Sequence, residues 1–402
     1  MNPRKILYIN LGDNVPYTYD KIAGRVLYWA SKNNKITLLV PELSASNIFK
    51  EIFEKAPNNI RLLKSPYSNK VAISTLSIVF SYLLRIIFAP FILFDRKSDF
   101  DIAISNSAFF VDIFPVLILK LFYRCKHWVL IMDSVVPSPE MRSGNKLINV
   151  LTYYESLIVG KIANRFSDKI LTVNAELKKE LISRGIDSKK IASTKNGLFI
   201  NNIASAKQNQ KFKSDAVYQG RISPNKGVDD LLYVWKEVVR QKPKSRLVIM
   251  GTGLKQHTSH LEQLLRKLNI ENSVRYLGFT PNPTKYEIMK SSKLFLYLSK
   301  VNADESWGIS LMEALSCGLP AISYDLPIYE NIYHTESLIR VSNGDIGLVA
   351  KKIIGLLDNP KLRNDLSSKS QTFSSQFDWD NIAKKDLRLL NAIMKDENNH
   401  QN

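Results

Sequence analysis

Two carboxylates separated by seven residues bracket an apolar run in Glu305-Ser-Trp-Gly308-Ile-Ser-Leu-Met-Glu313, which continues to Cys317-Gly318-Leu-Pro320. Ile309, Met312 and Leu315 fall on one face at helical spacing, and Gly318 followed by Pro320 is a helix stop. The helix therefore starts near Gly308, with Glu305 in the loop before it. At such a start the unpaired backbone N–H groups and the positive dipole end favour an anion, and a glycine lets a phosphate come close. A diphosphate is the natural guest. Glu313 lies about one and a half turns inside the helix, so the two carboxylates reach different parts of a bound ligand. Neither suits phosphate, but both accept hydrogen bonds from hydroxyls such as those of a sugar or a ribose. Cations come from Tyr218-Gln-Gly220-Arg221-Ile-Ser-Pro224-Asn-Lys226-Gly227, which reads as a strand, a glycine turn and a helix start. Arg221 can hold a diphosphate bidentately and Lys226 can add a point charge, both stabilising the charge that builds on a leaving nucleotide. By themselves, an arginine and a lysine in a turn are equally a solvated loop.

Positioning these groups takes alternating strands and helices. Lys5 to Asn10, Lys35 to Val40, Phe100 to Ser105, Trp128 to Met132 and Lys169 to Val173 are short apolar runs separated by stretches with helical spacing, of which Tyr19 to Ser31 is the first. That alternation predicts a parallel sheet with helices on both faces. Ligands in such sheets bind beyond the carboxyl ends of the strands, where Gly12, Asn106 and Asp133 fall. Asn201 to Ser214 is polar and reads as a linker. The alternation then resumes with strands at Ala216–Gln219, Arg246–Met250, Val274–Leu277 and Leu294–Leu298, and helices at Gly227–Gln241 and Ser259–Leu268. The expected division is 1–203, one Rossmann-like domain, and 204–378, a second one. Residues 379–402 are expected to form a helix returning to the first.

With 402 residues, 45% hydrophobic and 23% charged, the chain can build two globular cores. Cys125 and Cys317, the two cysteines, are too few for a disulfide framework or a zinc site and read as buried thiols of a reducing cytoplasm. The apolar run Ile6-Leu-Tyr-Ile9 is too short for the hydrophobic region of a signal peptide. The formal net charge is +19, and 28 basic against 16 acidic residues place +12 of it in residues 1–200. Such an excess attracts polyanions. Nucleic acid is disfavoured because the chain has no zinc-finger spacing, no aromatic-basic RNA-binding signature and no basic heptads. An anionic membrane surface is the favoured polyanion, since Val71 to Phe94 carries a single charge, Arg85, and Phe109 to Leu121 runs into Tyr123, Arg124, Lys126 and Trp128. Ser74, Thr75, Ser77, Ser81, Arg85 and Pro90 argue against a span. Three readings stand for these stretches: buried helices of the first domain, helices docked at the interface of the cytoplasmic leaflet, and, as the minority reading, a bilayer span. No metal site is expected. Asp99-Phe-Asp101 opens a strand and reads as a surface turn, and His257 with His260 lies in a polar stretch without a carboxylate suited to share a metal.

The order and spacing of Gly220-Arg221 with Lys226-Gly227, Val248-Ile-Met-Gly251-Thr-Gly253, Val274-Arg-Tyr-Leu-Gly278-Phe and the Glu305 to Glu313 helix with Gly318-Leu-Pro320 resemble family 4 retaining glycosyltransferases. Lys195-Asn196-Gly197 after Thr172-Val-Asn174 looks like the family's passage toward the linker. The resemblance implies a GT-B fold of the α/β class, with two Rossmann-like doubly wound domains whose parallel sheets face a central cleft. It implies a hexosyltransferase, without a cofactor, moving a sugar from a UDP-, GDP- or ADP-sugar to a glycan or lipid-linked acceptor in cell-surface polysaccharide or glycolipid synthesis. Arg221 and Lys226 would grip the donor pyrophosphate, Glu305 the sugar hydroxyls and Glu313 the ribose, with backbone N–H groups of Gly308 and Ile309 nearby. Gly12, Gly220, Gly251 and Ser310 complete the expected donor set. In the first half a single Gly12 stands where the family pairs glycines. Asp133 stands where the family often has a histidine, with His127 at the other end of the strand. Asp133 is either an acceptor contact, and so a fourth catalytic candidate beside Glu305, Arg221 and Lys226, or a strand-end carboxylate capping the next loop. A nucleotide-sugar hydrolase or epimerase and a non-catalytic membrane adaptor are the competing readings.

Overall fold

The computed structural model describes residues 3–12, 19–42, 57–66, 75–94, 99–142, 145–302 and 305–396. They form two compact units, one of residues up to Gly197 with the C-terminal helix Trp379–Asp396, the other Leu198–Asp378.

The first unit is built on seven parallel strands: β1 (Lys5–Ile9), β2 (Lys35–Pro41), β3 (Ile60–Ser65), β4 (Phe100–Ser105), β5 (Cys125–Met132), β6 (Lys169–Thr172) and β7 (Ile191–Ser193). Their order is β3-β2-β1-β4-β5-β6-β7. In β1, Ile6, Leu7, Tyr8 and Ile9 are all fully buried, as expected of a strand covered on both faces. The order reverses between β1 and β4, so right-handed crossovers put helix Tyr19–Ser31 on one face and helices Thr75–Phe94, Phe110–Leu121 and Lys146–Phe166 on the other.

Trp379 anchors the C-terminal helix to this unit. It lies between Gly24 and Gly197, where a Cβ would fall 2.2 Å and 2.6 Å from its ring. Arg25, fully buried, lies 5.1 Å from the Trp379 ring centroid and meets Asp386 at 2.8 Å, while Trp29 Nε1 donates to Ala383 O at 2.9 Å.

The second unit holds β8 (Ser214–Gln219), β9 (Leu247–Met250), β10 (Val274–Tyr276), β11 (Ser292–Tyr297), β12 (Ala321–Tyr324) and β13 (Leu338–Val341), all parallel, in the order β10-β9-β8-β11-β12-β13. Its switch point lies between β8 and β11. Helix Val228–Gln241 starts from Gly227, which adopts φ 66° and packs so tightly that a Cβ would come 1.8 Å from Leu298 O. Only glycine fits there.

The structure departs from the sequence expectations in several places. The units divide at Gly197/Leu198 and not after Ile203, because Leu198 N–H bonds to Phe377 O at 2.7 Å and the polar stretch that reads as a linker contains helix Ile200–Ser205 with Ile203 buried. Of Phe109 to Leu121, the helix Phe110–Leu121 turns Val111, Ile113, Val116 and Leu119 inward, so it is a buried helix and not a docking one. Residues 71–74 lie outside the described residues. The rest of that stretch, helix Thr75–Phe94, exposes Phe80, Leu83, Ile87 and Phe91. Among the described residues no helix is long and apolar enough to cross a membrane.

Candidate functional site

The chemistry-bearing residues of the second unit gather at its switch point. Arg221 follows β8 and is exposed, while Lys226 ends the short turn Pro224–Lys226 and is buried. Glu305, in the loop after β11, is buried as well and forms an ion pair with Lys226. Tyr297, at the end of β11, donates its hydroxyl to both Glu305 oxygens at 3.1 Å and 3.2 Å. This brings together two residues 79 positions apart that the sequence assigns to separate ligand groups. Tyr218, Tyr329 and Tyr333 lie within electrostatic reach of the same carboxylate. Burial, reinforced by Glu305, pushes all four phenols above their ordinary range, so they remain protonated donors.

Behind Glu305 the helix Ile309–Ser316 starts from Gly308 at φ 66°. Tyr333 donates to Trp307 O at 2.8 Å and Gly308 O at 3.0 Å, fixing the turn, and a Cβ on Gly308 would come 3.0 Å from that hydroxyl. The first-turn N–H groups of Ile309 and Ser310 have no acceptor inside the helix by its geometry and carry the positive end of its dipole. Gly220 and Gly251 end β8 and β9, and Gly220 N–H bonds to Met250 O at 3.1 Å, so the two strand-end loops are stitched side by side.

Glu313 occupies a separate buried position, paired with Lys285 at 2.7 Å and accepting from Tyr286 at 3.0 Å. Lys285, Tyr286, Tyr297 and Tyr333 are absent from the sequence-derived set. Asp230 is too: it takes Lys300 at 2.6 Å and Tyr324 at 2.7 Å, tying helix Val228–Gln241 to the loop after β11 and to β12. Two buried polar atoms near this cluster, Gln219 Oε1 and Tyr329 Oη, have no hydrogen-bond partner among the described residues.

In the first unit, Asp133 follows β5 and meets Lys21 at 2.6 Å. Asn106 accepts from Tyr8 at 2.6 Å and donates to Asn10 at 3.0 Å, a buried network under the strand ends. The Gly12 N–H donates to Asp112 at 3.2 Å, and Asp112 also takes the Leu11 N–H at 2.5 Å and the Ser107 hydroxyl. Asp112 is fully buried, a strand-loop anchor that its apolar sequence context conceals. His127 stands at the start of β5, 3.6 Å from Asp168.

Asp99 pairs with Arg124 at 2.5 Å, and Asp101 takes the Lys5 N–H at 2.9 Å, at the opening of β4. His260 does have a carboxylate neighbour, Asp229 at 3.0 Å on the surface, which lies on a different helix and so escapes sequence spacing. Among the described residues no three His, Cys, Asp or Glu side chains gather in reach of one metal ion. Burial pushes the Cys125 and Cys317 thiols up to about 12.

Residues 200–373 match the family model described as glycosyl transferases group 1. The second unit carries that sequence pattern almost from end to end. An uncharacterized glycosyltransferase of Haemophilus influenzae is 25% identical over 246 residues, 60% of this chain and 65% of that protein. The O-antigen chain mannosyltransferase B of Escherichia coli is 23% identical over 179 residues, 44% of this chain and 46% of that one. Among solved structures, Anabaena Alr3699/HepE in complex with UDP and glucose superposes with a TM-score of 0.72 at 18% identity, over 97% of this chain and 100% of that one. The fold is GT-B, with two parallel-sheet Rossmann-like α/β domains. The group 1 region contains Arg221, Lys226, Glu305, Gly308 and Glu313.

Proposed function

We propose that the chain is a family 4-like glycosyltransferase that moves a hexosyl group from a nucleotide diphosphate sugar to a glycan or lipid-linked acceptor with retention of configuration. The observation that carries this reading is the Lys226–Glu305–Tyr297 constellation, set at the switch point of the second sheet and directly before the helix start at Gly308. Cations and first-turn N–H groups there suit a diphosphate, and the adjacent carboxylate suits the hydroxyls of the sugar. Glu313, fixed by Lys285 and Tyr286, is the candidate for the ribose.

In the reaction the bond from the anomeric carbon to the β-phosphate oxygen breaks, and Arg221, Lys226 and the helix start take up the charge left on the nucleoside diphosphate. The acceptor hydroxyl bonds to the same face of the anomeric carbon, and its proton passes to the leaving phosphate. UDP and glucose in the HepE structure and the O-antigen role of the E. coli relative support a nucleotide-sugar donor and a cell-surface polysaccharide product. The same reading places the enzyme peripherally at the cytoplasmic face of the membrane, without a cofactor or metal.

Release of nucleoside diphosphate from UDP-, GDP- and ADP-sugars in the presence of membrane lipid extract tests this. Turnover of one donor is expected to be unchanged by EDTA, because the cations at Arg221 and Lys226 neutralise the leaving group. Complete loss on chelation, restored by Mn²⁺ or Mg²⁺, would contradict the metal-independent mechanism.

A further inference from the structure

Helix Lys146–Phe166 has its large apolar residues on the wrong side for a helix covered only by protein. Its buried residues are Asn149, Ser156, Val159, Gly160 and Ala163. Its outward stripe is Leu147, Leu151, Tyr154 and Ile158, exposed at 62%, 53%, 58% and 49%. A helix of a water-soluble domain shows the reverse. Helix Thr75–Phe94 shares the oddity, turning Arg85 and Ala89 inward and leaving Phe80 and Phe91 exposed at 64% and 67%. The two helices are joined by the hydrogen bond from Tyr82 to Glu155, so their apolar stripes belong to one layer. Of the 21 large apolar residues exposed among the described residues, 17 lie in the first unit and four in the second, which makes this a patch and not the usual scatter.

Behind the small inward residues of Lys146–Phe166 lies a cavity of about 250 Å³. Met132, Val136, Gly160 and Leu181 form apolar walls, and Lys161 and Arg184 supply cations. Lys161 forms no ion pair among the described residues. Arg184 is held by Glu180 at 2.8 Å and by Val136 O at 3.4 Å. The volume is near the lower end for ligand pockets, roughly 300 Å³, and the walls suit a hydrocarbon chain better than a sugar. Ala108 and Met132 place the cavity beyond the carboxyl ends of β4 and β5, next to Asp133, where open sheets receive ligands.

We propose that this cavity takes the hydrocarbon chain of an anionic amphiphile, delivered from a membrane leaflet on which the outward faces of Thr75–Phe94 and Lys146–Phe166 dock. The inference rests on the lipid-linked acceptor in the reading above and gives that acceptor a seat. Exposed Phe122 and Tyr123 at the edge of the layer suit the headgroup region, and Lys146, Lys161 and Arg165, all exposed, suit anionic lipid. A second copy fits less well, since a two-fold contact through this layer would bring the same cations together.

Two measurements on the full chain test the proposal. Flotation is expected with phosphatidylcholine vesicles containing phosphatidylglycerol at low salt, weaker without it, and lost in Leu151→Glu/Ile158→Glu but not in Leu362→Glu, an exposed leucine of the second unit. Calorimetric titration with decyl phosphate below its micelle concentration is expected to saturate at one site per chain and to resist competition by inorganic phosphate. Gly160→Leu should weaken it about tenfold by filling the cavity. A Cβ at Gly160 meets only Ile186 Cδ1, at 3.7 Å, so the backbone accepts a side chain there. If that variant unfolds, Lys161→Glu on the exposed surface carries the same expectation for decyl phosphate. No flotation at low salt, equal decyl phosphate affinity in wild type and the cavity variant, or a dimer that Leu151→Glu/Ile158→Glu dissociates would each overturn the proposal. Nucleotide-sugar binding is measured on the same samples: its survival beside a failed lipid result sinks the cavity alone, whereas its absence sinks the parent reading.

Discussion

Lys226→Ala is expected to cost the protein about 3 to 5 kcal/mol of folding stability as well as its affinity for a nucleotide diphosphate. The side chains of Lys226 and Glu305 are 10% and 2% exposed, so removing the ammonium strands a carboxylate among Tyr218, Tyr297, Tyr329 and Tyr333. Arg221→Ala is the contrast. That side chain is exposed, so stability should not change, while the lost charged hydrogen bonds, worth roughly 1.5 to 3 kcal/mol, should lower affinity tenfold or more. The double variant Lys226→Ala/Glu305→Gln should recover much of the stability and none of the activity, because it removes the stranded charge without restoring the cation. Urea unfolding and calorimetry separate these outcomes. Equal stability of Lys226→Ala and wild type would show that the pair is not the buried unit described.

Trp379→Ala is expected to destabilise the first unit by about 3 to 5 kcal/mol, the usual range for emptying a buried tryptophan site. The socket is formed by two glycines with no side chain to collapse inward, Gly24 and Gly197, and the ring also faces the Arg25 guanidinium. The C-terminal helix would then lose its hold on helix Tyr19–Ser31, although Arg25 still meets Asp386. Nucleotide binding by the second unit should survive at temperatures where both units are folded. A loss below about 1 kcal/mol in urea unfolding would mean that the helix is held by its other contacts.

The second unit was legible where its signals are local. Glu305 to Pro320 declares a loop, a helix and a stop within one continuous segment, and the helix begins at Ile309, immediately after Gly308. The pairing of Lys226 with Glu305 was not legible, because each residue taken alone points to a different ligand group. Lys285 and Tyr286 escaped for the same reason, since neither stands in a pattern with Glu313. Three of the four edge strands, β3, β7 and β13, were missed because they lack the apolar run that marks a buried strand. β3 contains Arg61 and Lys64, both exposed, and β7 is three residues long. β13 contains Arg340, and β12 is too short to separate from the Gly318-Leu-Pro320 stop before it. Helix Lys146–Phe166 shows a further limit: helical spacing reveals a stripe of Leu147, Leu151, Tyr154 and Ile158, but only packing reveals that the stripe faces outward.

The central claim, that the switch point of the second unit binds a nucleotide diphosphate sugar, is tested most directly by thermal unfolding with UDP-, GDP- and ADP-sugars in turn. One of them is predicted to stabilise the protein by about 2.7 kcal/mol at a hundredfold excess over its dissociation constant, with Arg221→Ala requiring roughly tenfold more ligand for the same effect. Absence of stabilisation by all three, together with no heat of binding by calorimetry, would contradict the account.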